Sequence, residues 1–330
     1  MKKTIIGLLL IVTFLATIPS TFAYSTSIKV KDKIIMIDVT HDAYHTEVEN
    51  FKGNLTEATN VTVVTLESDF LTNFDADADA LFMSGPNATY TGEEVKAIKD
   101  WFVQGGKFLF IGGDSDYGGL FSPLAINNLL RTLGASIRLD STSISDENNN
   151  DGASYRVAAT QPGTGTVAKK VTKGMKAGFI LHGPCSILGI NNSATVPEYI
   201  DLRTATLPNV EILYKYSADA IAGDSDASGL ETDLYAEADT TGNYPAVVLE
   251  TIGNSYLVLA GEAIFTDYKS MYDQFTETGE YNGGVTYGQM FVNNLINYFL
   301  GTVQAPLPVA PVVAALALFG GILVIVRRRK

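Results

Sequence analysis

From residue 33 onward the chain alternates short apolar runs with stretches of helical spacing. Residues 33–39 (KIIMIDV) are almost continuously apolar, residues 61–66 (VTVVTL) are β-branched, and residues 78–83 (ADALFM) and 107–111 (KFLFI) repeat the pattern. Runs of that length without polar alternation predict strands covered on both faces. Residues 44–59 and 91–104 predict the intervening helices. Thr91 caps the second, Glu93 and Glu94 occupy its first turn, and Gly105-Gly106 ends it.

The alternation continues with a helix over 125–133 and a strand over 135–139. Residues 140–174 are polar and rich in Gly, Asn and Thr, which predicts an insertion lying outside the sheet. Strands resume at 178–181, 210–216, 246–251 and 256–260, with Gly253-Asn254 as a hairpin turn between the last two. Apolar Met290, Phe291, Leu295, Ile296 and Phe299 at helical spacing place a closing helix over 287–300. No fixed-period repeat is present. The expectation is an α/β fold, a flavodoxin-like parallel sheet with helices on both faces.

The two ends have a different character. Met1-Lys2-Lys3, an apolar core and Thr21-Phe22-Ala23 have the order of a secretory signal peptide over 1–23, with Tyr24 as the mature start. A Pro-bearing spacer over 303–308 leads to the apolar run 309–326 and then to Arg327-Arg328-Arg329-Lys330. An apolar run of that length predicts one transmembrane helix, and the cations behind it predict a cytoplasmic basic tail over 327–330. Residues 24–302 are thereby expected outside the cell as one anchored domain. The layout also resembles the sorting tails of prokaryotic surface proteins, so a retained helix and a processed one stay open.

Charge supports an exported domain and excludes one class of partner. The chain carries 23 Lys and Arg against 36 Asp and Glu, and six of the cations lie in the two ends, leaving 17 for the domain. A surplus of acid that large repels nucleic acid and favours cations. The single cysteine, Cys185, rules out an intramolecular disulfide and is expected to be a buried apolar thiol. Asn54, Asn60, Asn87 and Asn191 stand in glycosylation sequons.

In a parallel sheet, ligands bind where strand C-terminal ends open into loops. His41, Ser84, Asp114, Ser115, His182 and Glu262 all follow predicted strands and are the candidate ligand pocket; the competing reading is that each satisfies loop amides or caps a helix. Asp146, Asn148 and Asn150 alternate as calcium-loop oxygens do, but Gly152 falls one place late and no acid stands at the twelfth position, so a solvated Asn/Asp turn is the alternative. Asp224-Ser225-Asp226 raises the same question.

Asp38 to His41, Ser84-Gly85-Pro86, the 105–113 segment GGKFLFIGG, Gly261-Glu262 with Phe265-Thr266-Asp267, and Asn293-Asn294 to Tyr298 recur in an order that resembles the class I glutamine-amidotransferase-like superfamily. Within it the chain resembles the non-catalytic, GIFT-like branch of surface, gliding-motility and intraflagellar-transport proteins. Catalytic members place a nucleophilic Cys on the turn after a central strand. The matching turn here, Gly112-Gly113-Asp114-Ser115, holds none, and no later His-x-Glu pair follows. The resemblance therefore implies no glutaminase and a binding or assembly role in the cell envelope. The alternatives are an extracellular hydrolase of glycan or peptide, with His41 or His182 as base and Asp114 or Glu262 as acid, or an accessory subunit of an envelope transporter.

Overall fold

The computed structural model describes residues 27–43, 45–117, 122–192, 198–224, 234–237 and 241–301. The expected signal peptide (1–23), spacer, apolar run 309–326 and basic tail lie outside the described residues. Among the described residues no helix is long and apolar enough to cross a membrane.

A nine-stranded sheet organises the molecule. Its first five strands in space are β2 (Val61–Leu66), β1 (Lys33–Asp38), β3 (Ala80–Met83), β4 (Phe108–Gly112) and β14 (Ser255–Ala260), all mutually parallel. The remaining four, β13 (Pro245–Ile252), β11 (Val210–Tyr216), β7 (Arg156–Pro162) and β8 (Phe179–His182), continue it antiparallel. The parallel sheet expected from the sequence is thus present in its first five strands and is extended by an antiparallel half. The turn at Gly253-Asn254 causes the reversal, because a two-residue hairpin can join only antiparallel strands.

Two further expectations change. The polar segment 140–174 is not outside the sheet: β7 lies within it, between β11 and β8, so a run as short as Val157-Ala158-Ala159 is enough to enter a sheet that neighbours complete. The strand after the fourth major helix is β5 (Ile137–Leu139), but it joins β9 (Ile187–Asn191) and β10 (Glu198–Ile200) in a separate three-stranded sheet. A two-stranded ribbon of β6 (Ser143–Ser145) and β12 (Ile221–Gly223) completes the strands.

The period-2 geometry of the central strands divides their side chains between two cores. Ile35, Ile37, Phe82, Phe108 and Phe110 face one side, covered by α1 (Glu49–Thr56), α5 (Thr166–Val171) and α7 (Gly288–Leu300). Met36, Leu81, Met83, Leu109 and Ile111 face the other, covered by α2 (Phe70–Asn73), α3 (Gly92–Phe102) and α4 (Ser122–Leu133). A short helix, α6 (Leu234–Glu237), lies near β12. On the first side Phe82 meets Phe51, Phe110 and Phe265 at ring-centroid distances of 4.9, 5.5 and 5.4 Å, an aromatic cluster that ties α1 and the segment after β14 to the sheet.

Local chemistry explains the element ends. At the start of α3 the Thr91 hydroxyl accepts from the Glu94 amide and the Glu94 carboxylate accepts from the Thr91 amide, so the cap read from the sequence is a complete capping box. The helix expected over 44–59 begins only at Glu49, and 45–48 form an irregular approach to it. That shift matters for the site.

Candidate functional site

Three chain segments converge at the C-terminal ends of the parallel strands. Asp114 lies two residues beyond the end of β4, and Glu262 lies two residues beyond the end of β14. These strands are neighbours, with Gly112 opposite Ala260, so the two carboxylates stand at matching positions on adjacent strand exits. His45 enters from the segment following β1. One ligand atom of each of His45, Asp114 and Glu262 lies within 4.8 Å of the others, and all three side chains are buried.

Glycine makes this approach possible. A Cβ at Gly112 would stand 2.3 Å from the Ala263 Cα, and one at Gly261 would stand 2.1 Å from the Cys185 carbonyl oxygen. Both are backbone contacts that no side-chain rotation relieves. The chain leaving β14 can therefore pass tightly over the end of β4 at Gly112, and lie against the Cys185 backbone at Gly261, only because both positions lack a side chain.

Hydrogen bonds hold the three groups from behind. The Ala263 amide donates to Glu262 Oε1 at 2.7 Å, and the Ser115 amide donates to Asp114 Oδ1 at 2.7 Å. Ser84 donates its hydroxyl to the His45 carbonyl at 2.6 Å, fixing the backbone that carries the imidazole. Tyr268 stacks on the His45 ring at 3.9 Å. His45 Nε2 lies 3.6 Å from Glu262 Oε1. The second oxygens, Asp114 Oδ2 and Glu262 Oε2, have no hydrogen-bond partner among the described residues.

Burial governs the electrostatics. It pushes the Glu262 carboxyl well above the usual carboxylate range. Burial does the same for Asp114, and the neighbouring Glu262 charge adds to it. At the rim, burial lowers His182 to about 4, helped by the positive charges of His45, Arg156 and Lys269. His182 meets Tyr268 edge-on at 5.0 Å, and the residue after it, Gly183, accepts from the Ser115 amide at 3.0 Å, tying the end of β8 to the turn after β4.

Of the six residues expected in the pocket, the structure brings Asp114 and Glu262 into one cluster. Ser84 and Ser115 support it through the hydrogen bonds just described, and His182 borders it through Tyr268. His41 belongs to another group. It sits in the left-handed region at φ 60, bonded through Nε2 to Glu94 at 3.1 Å and beside Asp38, which itself accepts from Tyr90 at 2.8 Å. Burial alone would lower the His41 pKa, but the hydrogen bonds and charges of Asp38 and Glu94 together raise it. His41 is thus paired with Asp38 and Glu94 rather than with the acids weighed for a hydrolase.

His45 was not foreseen. Reading a helix from residue 44 placed it on a helical turn, whereas the true start at Glu49 leaves it on a strand-exit loop. The available signal was position: it follows β1 by seven residues, within the loops where such sheets gather polar side chains.

The remaining sequence candidates are placed as follows. Cys185 is buried; its thiol contacts the Gly261 carbonyl at 3.6 Å, and burial, with the charges of Asp114 and Glu262, pushes its pKa well up. That is the opposite of an activated thiolate. Asp146 is the centre of a turn: Oδ1 accepts from the Asn148 and Asn149 amides at 2.8 Å each, Oδ2 accepts from Ser217, and Asn150 donates back to the Asp146 carbonyl at 2.8 Å. Its oxygens serve the loop itself, as an Asx turn does. Ser225 and Asp226 lie outside the described residues. Asn60 is exposed, and Asn54, Asn87 and Asn191 are half-buried. A groove of 420 Å³ lined by Arg203, Glu211 and Lys215 includes none of the strand-exit residues.

No family model matches the chain, and no curated protein does. Among solved structures, the N-terminal domain of mmIFT52 superposes with a TM-score of 0.54 at 10% identity, over 82% of this chain and 99% of that one. The chain shares the fold of that domain. Other solved structures found include a ThuA-like protein from Bacteroides uniformis (TM-score 0.39, 14% identity, 88% and 98% of the two chains) and a glutamine amidotransferase from Methylobacillus flagellatus (TM-score 0.36, 8% identity, 82% and 92%).

Proposed function

We propose that this chain is a binding module on an amidotransferase-like scaffold, without glutaminase activity, displayed on the cell surface through its C-terminal apolar run. The observation that carries the reading is the turn after β4. Gly112-Gly113-Asp114-Ser115 presents a buried carboxylate where that chemistry needs a thiolate, and the only cysteine in the chain is sealed against a backbone carbonyl. A buried carboxyl group is a poorer nucleophile for a carboxamide than a thiolate, whereas a convergent set of buried polar groups at strand ends is a recognition site.

Two measurements test this. Purified full-length chain incubated with glutamine should release no ammonia above a boiled control; sustained release would end the reading. Intact cells treated with an impermeant amine reagent should become labelled within residues 24–302; protection of that whole stretch would remove the surface assignment.

A further inference from the structure

We propose that His45, Asp114 and Glu262 bind one divalent metal ion of the zinc type, which would be the first ligand of the module described above; the inference rests on that reading for its place at the strand exits. An imidazole nitrogen and two carboxylate oxygens already lie within 4.8 Å of one another in a buried position. Ligand atoms about 2.0–2.2 Å from a common ion need only a modest contraction from that spacing. Each carboxylate has one oxygen engaged by a backbone amide and leaves the other, Asp114 Oδ2 and Glu262 Oε2, unpartnered among the described residues.

Charge gives a second, independent argument. Two carboxylates side by side and out of water cannot both stay ionised without a compensating cation. They must hold protons or a metal. A divalent ion neutralises both, and the adjacent imidazole supplies a nitrogen donor that a pair sharing protons would not require.

The donor set also selects the ion. Calcium and magnesium take six or more oxygens, often including several waters, and a buried site with one nitrogen and two carboxylates does not offer that shell. Three protein ligands of mixed N and O type suit zinc and leave a fourth position for water or an outside ligand. The Ser84 bond to the His45 carbonyl and the amide bonds to both carboxylates would orient the ligands from behind.

The test is a calorimetric titration of chelator-stripped full-length chain with zinc sulfate and with manganese chloride, joined to native mass spectrometry. The expected result is one zinc per chain, bound more tightly than manganese, and loss of that stoichiometric binding in Glu262→Gln and Asp114→Asn. Melting curves of the metal-free variants establish that they fold. Should either variant fail to fold, X-ray absorption of the zinc-loaded wild-type chain decides, with a shell of nitrogen and oxygen at about 2.0–2.2 Å and no sulfur expected. Absence of stoichiometric binding, retention of it in both folded variants, or a sulfur-containing shell would overturn the proposal. Absence of metal binding together with absence of ammonia release would remove this inference and leave the binding-module reading standing; ammonia release would remove the reading itself.

Discussion

His45 Nε2 and Glu262 Oε1 lie 3.6 Å apart although 217 positions separate them, and neither side chain reaches solvent. Their meeting depends on two strand exits, one after β1 and one after β14, and on Gly112, which lets the latter fold back over β4.

The close passage at Gly112 should therefore be intolerant of a single added carbon. In Gly112→Ala the new Cβ would meet the Ala263 backbone, an overpacking of a kind that costs about 1–3 kcal/mol or more. Urea unfolding followed by circular dichroism should show a lower midpoint and an unfolding free energy reduced by that amount. An unchanged midpoint would mean that the strand exits are looser than described.

Phe82 is the centre of the aromatic cluster between β3, β4 and α1. Phe82→Ala removes a fully buried ring and leaves a cavity, for which about 3–5 kcal/mol is expected. The same substitution at Val103, an exposed residue following α3, should change stability by less than about 0.5 kcal/mol. Equal effects at the two positions would contradict the placement of the core.

His41 and His182 should have pKa values shifted in opposite directions. The folded His41 pKa is raised above 6.5, so its contribution to stability is fully present below pH 6.5 and is lost as pH rises through the folded value. Folded His182 lies at about 4, so its contribution is present above pH 6.5 and is lost as pH falls toward 4. Imidazole resonances followed by NMR should give the two values, and Glu94→Gln should move only His41, toward its ordinary range, because Glu94 bonds its Nε2. A His41 pKa at or below 6.5 in the wild-type chain would refute the Asp38–His41–Glu94 grouping.

The architecture was legible where physical chemistry is local. Apolar runs located β1 to β4, β11, β13 and β14, and Thr91 with Glu94 announced α3. Strand direction beyond β13, which the Gly253-Asn254 hairpin reverses, was less legible, because pairing partners are set by distant segments such as β7, whose polar surroundings at 140–174 disguised it. Asp114 and Glu262 could be found from the strand-end rule alone. His45 could not, since Val48, Phe51 and Leu55 continue a helical spacing that in the folded chain starts only at Glu49. His41 satisfied the same rule as Asp114 yet pairs with Asp38 and Glu94, since adjacency to a strand end fixes the layer a side chain occupies and not its partner.

The most direct test of the strand-exit site is anomalous diffraction at the zinc edge from crystals grown with zinc and without chelator. The account predicts one peak at about 2.0–2.2 Å from a His45 ring nitrogen and from an oxygen of each of Asp114 and Glu262. A zinc-soaked crystal with no peak there, and with the Asp114 and Glu262 carboxyl groups hydrogen-bonded to each other, would contradict it.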